Sequence, residues 1–136
     1  MRFYNYIFLS AILMIAAAFG CSKIVDLKQK DTFSQVSEAY RKAILWSDFG
    51  YASTFVKKDH QNSYQLDSTY QNIKVTGYDE IHAMVNTDIS RIEQTVHIHY
   101  YRIDQMVEKR ITDHPVWQWD EKAGNWHLIS GLPCFE

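Results

Sequence analysis

The feature that most narrows the folds open to this chain is a change of hydrophobic period near residue 71. Beyond it Ile73, Val75 and Gly77 alternate with Lys74, Thr76 and Tyr78, and later Val96, Ile98 and Tyr100 alternate with His97, His99 and Tyr101. A period of two sends successive side chains to opposite faces of a strand. Four strands are expected, over roughly residues 72–87, 92–104, 106–119 and 125–131. The connections 86–90, Asp104-Gln105 and 120–124 have turn chemistry and are too short for a crossover, so neighbouring strands must be antiparallel. Gly77 weakens regular pairing and Pro115 removes a ladder donor, which marks both as places where a long strand bends or bulges.

Upstream, the period is helical. Phe33, Val36, Tyr40, Ala43 and Ile44 recur at spacings of three and four, which predicts an amphipathic helix from about residue 31 with Asp31 or Thr32 as N-cap. Ser47 and Asp48 can cap a second, shorter helix with Tyr51, Ala52, Phe55 and Val56 as its apolar positions. Residues 57–68 carry charges and amides without a period and read as loop. Helices that precede a meander must cover one of its faces, so the expected class is α+β, with N-terminal helices packed on a bent four-stranded antiparallel β-meander.

At the start of the chain, Arg2 precedes an apolar run over residues 7–19 interrupted only by Ser10. As a helix this run reaches about 20 Å, short of the ~30 Å hydrocarbon core, and it reads as a signal helix rather than a span. It ends in Ala18-Phe19-Gly20-Cys21, which resembles the lipobox of bacterial lipoproteins. Gly20 and Cys21 match that pattern, while Ala18 stands where Leu is usual and Phe19 where a small residue is usual. The resemblance implies cleavage between Gly20 and Cys21, a diacylglyceryl group on the Cys21 sulfur, and an acyl chain such as palmitate on the new amine. Ser22, in place of the Asp that retains similar lipoproteins at the inner membrane, implies the periplasmic leaflet of the outer membrane. The organisation expected is a signal peptide over 1–20, a lipidated cysteine and polar tether over 21–30, and one domain over 31–136. The alternative is an incidental thiol behind an ordinary signal peptide or anchor helix.

The element order also resembles the cone-shaped nuclear transport factor 2-like superfamily, to which ketosteroid isomerase and related dehydratases belong. Trp117-Gln118-Trp119 and Trp126-His127-Leu128 on either side of the Gly124-Asn125 turn, with the closing Leu132-Pro133-Cys134-Phe135, carry this resemblance over about residues 31–135. Lys74-Val75-Thr76-Gly77-Tyr78 and Tyr100-Tyr101-Arg102 are similar, with the Trp117 strand, to envelope lipoproteins of proteobacteria. A roll fold is implied, but the superfamily hosts enzymes and binding modules alike.

Charge and motif content exclude more than they assign. Beyond residue 20 there are 13 basic against 16 acidic residues, without the basic footprint that nucleic acid requires. There is no glycine-rich phosphate loop, no Gly-x-Ser-x-Gly elbow and no Cys-x-x-Cys pair. His97 and His99 share a strand face at a spacing that could offer two metal positions, with His82, His127 or a carboxylate as a third, against the plainer reading of half-exposed or hydrogen-bonded strand histidines. Tyr40, Tyr78, Tyr100, Tyr101 and Asp104 are of the types that isomerase-like members use, yet alternating aromatics read first as core, and Arg102 as a cross-strand ion-pair partner. Cys134 reads as a small buried apolar residue, with a disulfide to another chain or a reactive thiol as the alternative. No catalytic residue, metal ligand or cofactor is assigned. The expected function is a lipid-anchored, non-catalytic domain binding an envelope protein or a small apolar ligand on its concave aromatic side. The alternatives are an isomerase or dehydratase-type enzyme using that cavity, or a structural envelope protein with an exposed apolar patch.

Overall fold

The computed structural model describes residues 26–61, 68–86 and 88–136; the signal stretch 1–20, with Gly20, and Cys21 lie outside them. Within the described residues the first helix, α1, occupies 26–45. It thus takes in residues 26–30, which the sequence reading gave to the tether, and Asp31 and Thr32 are interior residues rather than caps. Lys and Gln are good helix formers, and the apolar stripe of Phe33, Val36, Tyr40 and Ala43 extends backwards by one turn to Gln29, which is buried. The helix stops where Ser47 takes a left-handed conformation at φ 58°. The Ser47 N–H donates to Ile44 O and the Asp48 N–H to Ala43 O, both at 2.9 Å, which satisfies two of the last carbonyls in a Schellman arrangement. Glycine would take that φ more cheaply, but the Ser47 hydroxyl oxygen also accepts from the Val75 N–H at 2.9 Å and so ties the helix end to the sheet.

Asp48 then caps the short α2, Phe49–Ser53, by accepting from the Tyr51 N–H at 2.9 Å. Asp48→Ala is expected to cost about 1 kcal/mol, read as a lower denaturation midpoint of the purified protein; an unchanged midpoint would contradict the capping role. Two single turns follow within the stretch read as loop and at its end, α3 at Lys58–Gln61 and α4 at Ser68–Gln71.

The remainder is one open antiparallel sheet: β1 (Ile73–Val85), β2 (Arg91–Arg102), β3 (Glu108–Asp113), β4 (Val116–Asp120) and β5 (Asn125–Leu128). It has five strands where four were expected, because the strand read over 106–119 is broken at His114-Pro115. Val96 faces Asp113 and Glu93 faces Val116, three residues further along both chains, so the register against β2 is continuous across the break. Proline lacks the N–H that a ladder needs, and its carbonyl accepts from the Gln94 N–H at 2.9 Å instead.

β1 carries two bulges, at Thr76 and Ile81, where its register against β2 shifts. Each bulge moves the following residues to the other face. Tyr78 therefore faces inward opposite Ile98, although simple alternation assigned it outward, and Gly77 faces His99. A Cβ on Gly77 would lie 3.4 Å from the His99 ring, so glycine lets the imidazole lie close over the strand.

The core forms between α1 and the inward sheet face. Trp117 and Trp126 are fully buried, and the rings of Phe33 and Tyr40 meet Trp117 edge-on at 6.0 and 5.3 Å. A second aromatic group gathers the chain's last residues. The Phe135 ring meets Tyr100 at 4.9 Å and Phe49 at 5.4 Å, and the Tyr70 hydroxyl donates to Pro133 O at 3.0 Å. Leu132 and Pro133 are buried and Phe135 packs on these rings, which leaves Cys134 pointing outward. Cys134 is an exposed free thiol and not the buried apolar residue expected.

Candidate functional site

Polar side chains on the inward face of a half-covered sheet are the first candidates for chemistry, because burial there must be compensated. Four occur together. Tyr78 and Glu80 come from β1, Gln94 from β2 and Asp113 from β3; Gln94 is buried, Tyr78 and Asp113 are half-buried, and Glu80 is exposed at the margin. Glu80 and Asp113 flank Val96 in one row across three strands, two strand spacings or about 10 Å apart. The Gln94 amide is 5 % exposed and both its ends are used: its oxygen accepts from the Trp117 indole at 2.8 Å and its nitrogen donates to Glu80 Oε2 at 2.5 Å. Glu80 is thereby oriented by an amide that the core itself holds still.

Burial pushes the Tyr78 phenol well above its ordinary range. The charges of Asp113 and Glu80 push the same way, and the Arg41 guanidinium of α1 opposes them. Arg41 in turn holds Glu38 down to about 2 through a bidentate pair at 2.8 Å. Burial also raises the Asp113 carboxyl, against a hydrogen bond from the His114 backbone and the charge of its ring.

A raised native pKa gives a sign for stability. In acid, below the ordinary Asp range, Asp113 is neutral in both states and costs nothing; as pH climbs through the raised value, the unfolded chain ionises more readily and stability falls. Asp113→Asn is expected to raise the melting temperature at neutral pH, with an advantage that shrinks at pH 3. A difference independent of pH would show that the carboxyl's charge is not the cause.

The other sequence candidates fall elsewhere. His97 and His99 do share the outward face of β2. There the His99 ring stands between Asp79 of β1 and Glu108 of β3, at 3.5 Å from each, as a bridge across three strands. Among the described residues no group of three His, Cys, Asp or Glu is placed to hold a metal ion. Tyr40 and Tyr100 are core residues, and the Tyr100 hydroxyl donates to Glu136 O at 3.0 Å. Arg102 pairs with Asp104 two residues on, at 3.2 Å, so it is a local partner and not a cross-strand one; the turn brings the carboxylate back to it. His127 lines an open depression of 370 Å³ with Lys57, Gln118, Trp119, Asp120 and Lys122, which shares no residue with the group around Tyr78.

Sequence reading passed over Glu80, Gln94 and Asp113. Gln94 and Asp113 were detectable, since each falls in step with apolar neighbours, Ile92 and Val96 for one and Ile111 for the other. Glu80 was not, because the bulge at Thr76 sets its face. No family model, curated protein or solved structure matches the chain.

Large apolar side chains also stand in solvent, grouped by end. Trp46, at the close of α1, is 76 % exposed, and in the β2–β3 turn Met106 is 71 % exposed beside exposed Ile103 and Val107. Ser47 binds the Val75 N–H and the Ile103 N–H donates to Asn72 O at 2.9 Å, so both groups flank the start of β1. Met106 holds φ 53°, a conformation with a strain cost for a non-glycine residue, at the tip of that turn. Among the described residues no helix is long and apolar enough to cross a membrane.

Proposed function

We propose that the chain is a lipid-anchored protein of the bacterial envelope, held at the outer membrane through Cys21, whose roll of the nuclear transport factor 2-like kind is a non-catalytic module for binding a protein partner. The observation that carries this reading is the filling of the concave side. Phe33, Tyr40, Trp117 and Trp126 occupy the space between helix and sheet with their own rings, at 5.3 to 6.0 Å spacing. A cavity occupied in this way has little room for a small apolar ligand. Apolar surface is displayed instead at Trp46, Ile103, Met106 and Val107, the kind of exposed group that marks contact with another macromolecule. The helix-then-meander order and the strand break at Pro115 support the roll, and the Gly20-Cys21 junction supports the anchor.

Photo-crosslinking residues placed at 46 and 106 in cells are expected to trap one defined envelope protein, and the same residue at Thr112, on the outer sheet face, is not. Identical adducts from all three positions, or none, would sink the reading.

One observation favours an enzyme instead: in adjacent rows of the sheet, a partly desolvated carboxyl at Asp113 and an oriented carboxylate at Glu80 both act on the Tyr78 phenol through their charge. On that alternative, a cellular phenotype of deletion should fail to be rescued by Tyr78→Phe or Asp113→Asn and be rescued by Trp46→Ser. On the proposed reading the pattern reverses.

A further inference from the structure

The domain has two ends, and the chain enters at one of them. The Trp126 indole donates to Gln29 O at 2.9 Å, Trp126 pairs with Trp119, and the Trp119 N–H donates to Ser90 O at 2.8 Å. The start of α1, the β1–β2 turn and the β4–β5 turn are therefore neighbours. At this end Leu27 is 66 % exposed, and the tip of the β1–β2 hairpin exposes Met84 and Val85. Val85 shares its face with buried Ile92, its register partner, yet stands more than half in solvent.

We infer that this end rests on the bilayer, with Leu27, Met84 and Val85 seated at the level of the lipid headgroups and upper acyl chains. The inference rests on the anchoring of Cys21 proposed above. Chain length carries it. Five residue steps separate Cys21 from Asp26, at most about 17 Å of extended backbone. The 20 residues of α1 measure about 30 Å. A connection shorter than the body it holds keeps the entry end beside the headgroups, and apolar side chains held there leave water by dipping into the interface. Trp46, Ile103, Met106 and Val107 are then carried on the opposite end, pointing away from the membrane.

The exposed thiol of Cys134 lies next to Phe135, which packs on Tyr100 near the far end of β2, and so marks the distal end. Full-length protein would be expressed with its export machinery and labelled with a fluorophore on Cys134. In a second and third form carrying Cys134→Ser, the label would sit on Met84→Cys or Leu27→Cys, two positions that guard against one misfolded variant. Each form is reconstituted into phosphatidylethanolamine and phosphatidylglycerol vesicles with brominated acyl chains. Quenching is expected to be several-fold greater at positions 84 and 27 than at 134. Equal quenching at all three positions, or the strongest at 134, in protein that floats with the vesicles overturns the orientation and leaves the anchor standing. Protein that does not float removes the anchor, and this inference with it.

Discussion

Trp117→Ala is expected to destabilise the domain by about 3–5 kcal/mol, a large share of the roughly 5–15 kcal/mol that holds an ordinary domain folded. Trp117 is fully buried at the centre of the sheet, where it faces Ile92 on one side and Leu128 on the other. Its removal opens a cavity between Phe33 and Tyr40, whose rings both meet it edge-on, and withdraws the indole N–H from Gln94. Trp117→Phe separates the two losses. It keeps most of the volume, leaves the Gln94 oxygen without its indole donor, and should cost about 1–3 kcal/mol. Chemical denaturation of the purified variants reads both values, and a loss below about 1 kcal/mol for Trp117→Ala would mean that this ring is not the centre of the core.

Cys21→Ala is expected to abolish attachment altogether. Without the sulfur no diacylglyceryl group can be added. The precursor should keep its full size, and globomycin should no longer change its mobility. On the proposed lipidation, several acyl chains at about 0.8 kcal/mol per buried methylene would account for firm anchoring, and among the described residues no helix is long and apolar enough to cross a membrane in their place. Cell fractionation with mass spectrometry of the amino terminus makes the check. A variant that still sediments with the membrane at mature size would refute the proposed anchor.

The inward-facing Tyr78, Gln94 and Asp113, with exposed Glu80 at their margin, show why a polar group on an inner face is not by itself a site. Gln94 is saturated by Trp117 and Glu80, which makes it a structural bridge. Burial raises both Asp113 and Tyr78, and the charges of Asp113 and Glu80 push Tyr78 further, a condition that suits proton transfer and equally describes a core margin. The pH dependence of Asp113→Asn and the rescue experiment with Tyr78→Phe distinguish the two, since only catalysis would tie the phenotype to those atoms.

Local pattern in the sequence was enough to determine the helical stripe of Phe33, Val36, Tyr40 and Ala43, the cap at Asp48, the antiparallel pairing of the strands and an irregularity at Pro115, though not that it splits the strand in two. Each follows from spacing, from the length of a connection or from a missing N–H, and these need no knowledge of distant residues. Where α1 begins, which way Tyr78 and Glu80 face, and whether Cys134 is buried were decided only in three dimensions. Gln29 joins the helix because Trp126, nearly a hundred residues away, donates to its carbonyl. Tyr78 turns inward because a bulge at Thr76 changes the parity of every later residue in β1. Cys134 is turned out because Phe135 is held by Tyr100, Phe49 and Tyr70. Such outcomes depend on which partners the chain brings together, and that information is absent from any window of neighbouring residues.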